Sequence, residues 1–337
     1  MKFAIFSIFG LALLLGLAGC QAPARPPGFS LDRGAQLLAG GSPKSAIPFL
    51  TQTVTSVPDG PEPVALLSLA YALDLQHDRA ILQASKVRRR PGQGPGWEAV
   101  AVGIARMTEE RPAEAVAALE LVGNDSPAAT AARQWCVMAL LLGGSRPEAI
   151  HALETMSGDP VLRTSASLWL AVVHEQNGRK DLAQAALECC AQTVASASGE
   201  MALRGDLNNA DAQTLYDAGL AAVAKGDIAK AQYLLSRVRD RTLDACDTTV
   251  WLALIGGIQD DWQTCRNRLA AACETGSAPS RGLAAQVFSV VCALEDRPEA
   301  MIQYTLLGQR MLGRAAEPAY IHEQPKPEPV WNSDRMR

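Results

Sequence analysis

The chain has 337 residues, enough for one large or two ordinary domains. Its formal net charge is −4, so the field of the whole molecule does not draw it to nucleic acid or to an anionic surface. Aromatics are 5% of the residues, and strict alternation of Val, Ile, Thr and aromatics is scarce. That argues against sheets and suits helices packed through small residues.

The N-terminus reads as a targeting segment. Lys2 supplies a positive start, and Phe3 to Leu17 is apolar. This run is too short for a comfortable membrane span and has the length of a signal h-region. It ends in Leu17-Ala18-Gly19-Cys20, which resembles the lipobox of bacterial lipoproteins. The resemblance implies cleavage after residue 19 and acylation of Cys20, the predicted lipidation site. Each buried CH₂ adds about 0.8 kcal/mol, so several acyl chains anchor a soluble domain stably. Gln21, rather than Asp, follows the cysteine. By the sorting rule of such lipoproteins, this implies the outer membrane, with the domain facing the periplasm. Residues 20–29 are Pro-rich and aperiodic, a tether between membrane and folded domain. No later run is long and apolar enough to predict a transmembrane helix.

From residue 30 the chain repeats itself. A polar or Gly-containing turn is followed by a small residue, then an apolar one four positions on. Aligning the small residue gives Ala46, Ala80, Ala115, Ala149, Ala183, Ala231, Cys265 and Ala300, spaced by 34, 35, 34, 34, 48, 34 and 35. A period near 34 marks a solenoid. The larger residue is Leu50, Leu119, Leu153, Leu187, Leu235, Leu269 or Tyr304, and Ala84 departs from the pattern. Gly34, Gly103 and Gly219 stand twelve positions before the small residue. A small residue near the start of a second helix lets two antiparallel helices approach, and the larger one a turn later fills the gap.

This pattern resembles the tetratricopeptide repeat, a helix–turn–helix unit of that length. Trp135, Trp169 and Trp251 depart from it, recurring two places from the family's usual tryptophan. The resemblance implies an all-α, right-handed superhelical solenoid of about eight units. Five units are expected over 30–190 and three over 207–312. Residues 191–206 form an insertion, read as a loop or a lengthened helix end. Residues 313–337 form a Pro-rich, charged, extended tail in which Trp331 is a candidate anchor for a partner.

Chemical candidates are few. GGSRPEAIHALE (143–154) offers Arg146, Glu148 and His151, but the repeat phase puts all three on a turn and a solvent face. His174 stands where the family usually has Tyr, as core packing or as a buried switch or ligand. GQGPG (92–96) neither follows a strand nor ends in Lys-Ser/Thr, so it reads as a loop. KVRRR (86–90) complements a helix C-terminus or touches an anionic polymer or headgroup. No catalytic residue, metal site or cofactor is expected beyond the covalent lipid on Cys20.

Seven cysteines remain besides Cys20, an odd number, and none forms a C-x-x-C. Cys246, Cys265, Cys273 and Cys292 are spaced by 19, 8 and 19. Antiparallel packing allows two staples, Cys246–Cys273 and Cys265–Cys292. The alternative is that they are small buried hydrophobes.

In the repeat family, first helices line a concave groove that takes a peptide. The resemblance carries this role to Trp97, Val100, Ile104 and Met107. It carries it equally to Gln134, Met138 and Leu141, to Leu168, Val172 and Glu175, and to Tyr216 and Leu220. An insertion or the tail filling that groove is the alternative. The expected function is a lipid-anchored periplasmic scaffold, not an enzyme, that binds a protein or peptide of an envelope complex and no nucleic acid. Pilus or secretion assembly is the first expectation. Outer-membrane protein assembly, cell-wall enzyme recruitment, or a structural peptidoglycan-binding linker are the alternatives.

Overall fold

The structure is a computed structural model that describes residues 31–58, 60–87, 95–195, 197–205, 207–241, 248–275 and 278–316. Seventeen helices and no strand occur among these residues. Sixteen of them form eight consecutive pairs. The first five pairs are α1 (Leu31–Ala39) with α2 (Pro43–Ser56), α3 (Pro61–Leu73) with α4 (His77–Ser85), α5 (Trp97–Thr108) with α6 (Pro112–Leu119), α7 (Ala129–Leu142) with α8 (Arg146–Ser157), and α9 (Arg163–Gln176) with α10 (Lys180–Val194). A short helix, α11 (Ala197–Ala202), stands alone. Then follow α12 (Ala212–Ala224) with α13 (Ile228–Arg241), α14 (Thr248–Gln259) with α15 (Trp262–Thr275), and α16 (Ala278–Leu294) with α17 (Pro298–Ala316).

The turns explain the period. In seven pairs the first helix ends on a left-handed residue: Gly41, Leu75, Glu110, Gly144, Gly178, Gly226 and Asp296. The next residue's N–H donates to the carbonyl five positions back, as in Ser42 to Leu37 at 2.8 Å and Arg179 to His174 at 2.8 Å. This satisfies carbonyls that the helix end leaves open. Five residues after the left-handed position comes the fully buried residue of the second helix: Ala46, Ala80, Ala115, Ala149, Ala183 or Ala231. In the last pair this rule selects Met301, which is fully buried, and not Ala300, which is half-buried. The repeat there is one residue longer than the alanine spacing predicts.

Within a pair, the helices meet through glycine and leucine. A Cβ on Gly34 would lie 2.6 Å from Leu50, one on Gly103 2.6 Å from Leu119, and one on Gly219 2.8 Å from Leu235. Those leucines are at most 2% exposed, so none has room to move away. Proline opens α2, α3, α6 and α17, where a missing N–H breaks no intrahelical bond.

Neighbouring pairs pack side by side, with α3 on α5, α5 on α7, and α10 on α12. The longest spacing between units is helical in part. It holds the end of α10 and then α11, which packs on α12. Ala202 and Leu203 cover a small core of Leu215, Ala218, Leu234 and Val238 there.

The array also turns back on itself. Helix α16 packs on α7 and α9, α17 reaches α5, and α14 packs on α9 and α10. A Cβ on Gly41, in the first turn, would run into the Leu306 carbonyl of α17. The last pair therefore touches the first. No helix among the described residues is long and apolar enough to cross a membrane.

Candidate functional site

The first helices of successive pairs share one face, and that face is covered. Helices α16 and α17 lie across it. Trp97, Val100, Ile104 and Met107 on α5 are buried, as are Met138 and Leu141 on α7. So are Leu168, Val172 and Glu175 on α9, and Leu220 on α12. Only Gln134 and Tyr216 of the predicted groove residues are half-exposed. The groove expected from the family resemblance is thus not an open surface. The chain's own last pair lies over it at α5, α7 and α9.

A narrow cleft beneath α17 has two adjoining parts, of about 50 and 20 Å³. One part is apolar, lined by Leu38 of α1, by Leu66, Leu69 and Leu73 of α3, and by Trp97 and Val100 of α5. The other is lined by Gln134, Met138 and Trp169 of α7 and α9, facing Gln286 and Ser289 of α16 and Thr305 of α17. Trp135 and Gln309 belong to both parts. No charged residue lines either part. Five consecutive first helices, α1, α3, α5, α7 and α9, contribute to this one cleft.

The polar groups there are three glutamine amides and two hydroxyls. The Ser289 hydroxyl donates to the Gln286 carbonyl at 2.7 Å, and the Thr305 hydroxyl donates to the Met301 carbonyl at 2.8 Å. Both hydrogens are therefore committed to their own helices. The side-chain Oε1 atoms of Gln286 and Gln309 are buried and accept no hydrogen bond. A buried acceptor without a donor costs about 1–3 kcal/mol, so such groups mark places where a donor is expected.

Helix approach explains why these glutamines sit there. A Cβ on Gly308 would lie 2.6 Å from the Gln286 stem, and one on Gly282 would lie 2.7 Å from Leu312. Two glycines let α16 and α17 close up, which turns Gln286 toward the cleft. Sequence reasoning missed Gln286, Ser289, Thr305 and Gln309. The available signal was the glycine pair together with polar side chains inside otherwise apolar helices.

Glu175 is a second unusual group. It is 5% exposed, and the hydrogen-bond partner its carboxylate finds is the Cys265 thiol of α15. It points at Gly257 of α14, where any Cβ would collide with it, and it faces the Cys265 thiol of α15. Burial pushes its pKa up to about 8, against smaller downward pulls from Cys265 and Lys180. The Lys180 ammonium itself donates to the Asp260 carbonyl at 2.9 Å. The predicted groove residue Glu175 is therefore a component of the α9–α14–α15 joint.

The remaining candidates fall as follows. His151 is exposed. His174 is buried, and burial first, then the Arg179 charge, lower its pKa. Cys265 and Cys292 are free, buried thiols, which corrects the proposed bridge between them. Cys265 turns toward Gly257 and Glu175, whereas Cys292 lies in the electrostatic reach of Cys273 and Tyr304. Cys273 is also a free thiol, and its proposed partner Cys246 lies outside the described residues. Cys20, the tether and Trp331 lie outside them as well. No cluster of three His, Cys, Asp or Glu side chains suited to a metal occurs among the described residues.

No protein-family model matches the chain, and comparison with curated proteins returns no significant relative.

Proposed function

We propose that this chain is a lipid-anchored scaffold of the bacterial cell envelope, built as a right-handed superhelix of about eight tetratricopeptide-like units. It binds a protein or peptide and supports assembly of an envelope machine such as a pilus or secretion system. The observation that carries the binding role is the cleft to which five successive first helices and the last pair all contribute. Repeat arrays place their partners on that face, because each unit adds one strip to a continuous surface. The address rests on Leu17-Ala18-Gly19-Cys20 behind an apolar run.

The test uses the full chain in cells. A photo-crosslinking amino acid replaces Gln134, at the half-exposed rim of the cleft. The expected result is a crosslink to one or a few envelope proteins, lost in Met138→Glu. Crosslinks to no protein, or retention of the full chain on peptidoglycan without any protein adduct, would overturn the scaffold reading. Separately, Cys20→Ser is expected to move the protein from the membrane fraction to the soluble fraction.

A further inference from the structure

We infer that one edge of the array lies on the bilayer surface, with Val57, Leu121, Val161 and Met201 set among the lipid headgroups. The inference rests on the lipid-anchor reading and names the face that the anchored domain turns to the membrane.

Antiparallel pairs give the array two edges. One holds the turns inside the pairs, at residues such as Gly41, Glu110 and Asp296. The other holds the connections from each pair to the next. Neighbouring connections touch. The Ser126 hydroxyl, between α6 and α7, donates to the Pro95 carbonyl, between α4 and α5, at 2.7 Å. Arg133, near the start of α7, pairs with Asp159, between α8 and α9, at 3.3 Å. These contacts make the connections from α4 to α9 one continuous strip.

The two edges differ in chemistry. The turns inside the pairs are polar: Arg106 pairs with Glu109, Arg111 with Glu114, and Arg266 with Glu295. Among the described residues, no large apolar side chain is exposed in those turns. The connections carry four. Val57 is 52% exposed, Leu121 66%, Val161 47% and Met201 76%. Pro58, Pro127 and Pro160 are exposed in the same connections. Single exposed apolar side chains are ordinary on any protein surface. Their sorting onto one edge, with ion pairs gathered at the other, is what an interface between water and lipid selects.

The entry point of the tether names the occupant. Helix α1 ends at the turn that holds Gly41, so its start at Leu31 lies on the connection edge. Eleven steps of chain separate Leu31 from Cys20, a reach of at most about 40 Å. The bilayer is therefore always within reach of this edge, and apolar side chains gain by leaving water for the headgroup boundary. Acidic Asp125 and Asp159 occur on this edge beside basic Arg133 and Arg163. The contact is thus apolar in origin and needs no anionic lipid.

The experiment places the full-length chain in phosphatidylcholine vesicles whose acyl chains carry bromine, a contact quencher. A fluorescent amino acid replaces Leu121 on the connection edge or, in a second sample, Glu110 on the opposite edge. Apolar groups of interfacial proteins sit about 5–10 Å deep, so quenching is expected to be at least about threefold stronger at 121 than at 110. High salt should leave that ratio unchanged. Val57→Ser, Val161→Ser and Met201→Ser together should lower quenching at 121 to the level at 110 and leave Tm unchanged, since all three side chains are exposed. Equal quenching at the two positions overturns the inference. So does a ratio untouched by the three serines, or a photo-crosslinker at Leu121 that captures a protein instead of lipid in cells. If the chain floats with the vesicles but 121 is not preferentially quenched, the anchor reading stands and this inference falls. If the chain does not float, both fall.

Discussion

Two kinds of joint hold this molecule together, and they differ in chemistry. Inside three of the pairs the joint is apolar and local. Gly103 receives Leu119, Gly34 receives Leu50, and Gly219 receives Leu235. Between the first pairs and the last ones, the joint brings together segments far apart in sequence. It contains Glu175, whose carboxylate is buried against the Cys265 thiol, and Gln286 and Gln309, each with a buried Oε1 that accepts no hydrogen bond. The local joint is a finished solution repeated along the chain. The distant joint carries unresolved polar groups, so it contributes less stability for the surface it buries. The comparison places stability within the pairs and adaptability where the array closes.

The largest effect is expected at the local joint. Leu119→Ala leaves a hole opposite Gly103, and should lower unfolding free energy by about 3 kcal/mol in a denaturant titration. Leu235→Ala, opposite Gly219, should match it closely, and a large inequality would break the equivalence of the pairs.

The next effect has the opposite sign and depends on pH. The folded pKa of Glu175 stands at about 8 against an ordinary 4.5, so the folded state holds a proton that the unfolded state has released. Stability therefore falls as pH rises from 4.5 toward 8, and the penalty is absent below that window. Glu175→Gln should flatten this slope and raise stability at pH 7.5 by about 2 kcal/mol. An unchanged pH profile would show that the carboxylate is solvated in solution.

The smallest effect concerns a turn. Glu110 is exposed and sits at φ 60°, where other pairs use glycine. Glu110→Gly should stabilise the protein by about 1 kcal/mol, seen as a small rise in Tm. A loss would indicate that the side chain supports the turn through contacts of its own.

Most of the pairing was legible because it is periodic. The small residue, the leucine four places on and the glycine twelve before it lie in one stretch of chain, so their geometry can be read locally. The last unit slipped by one residue because Ala300, which fits the alanine spacing, stands next to Met301, which is the fully buried residue. The candidate site was half legible. First helices do converge on one cleft, but periodicity says nothing about what a distant pair does. Covering of the groove depends on α16 meeting α7 and α9, a contact with no local signature. Glu175 was read as a groove residue because its phase is right. Its role in the joint comes from Gly257, which lies on another pair.

The contact between the first turn and Leu306 has a consequence for the order of folding. Each pair closes a short loop, whereas this contact closes nearly the whole chain, and the entropy of such closure must be met before any reward arrives. Pairs therefore form early and the meeting of the two ends comes last. Until then α1, α3, α5 and α7 remain uncovered, so a nascent chain presents a stickier surface than the mature protein does. A chaperone that shields apolar helices would act in that interval.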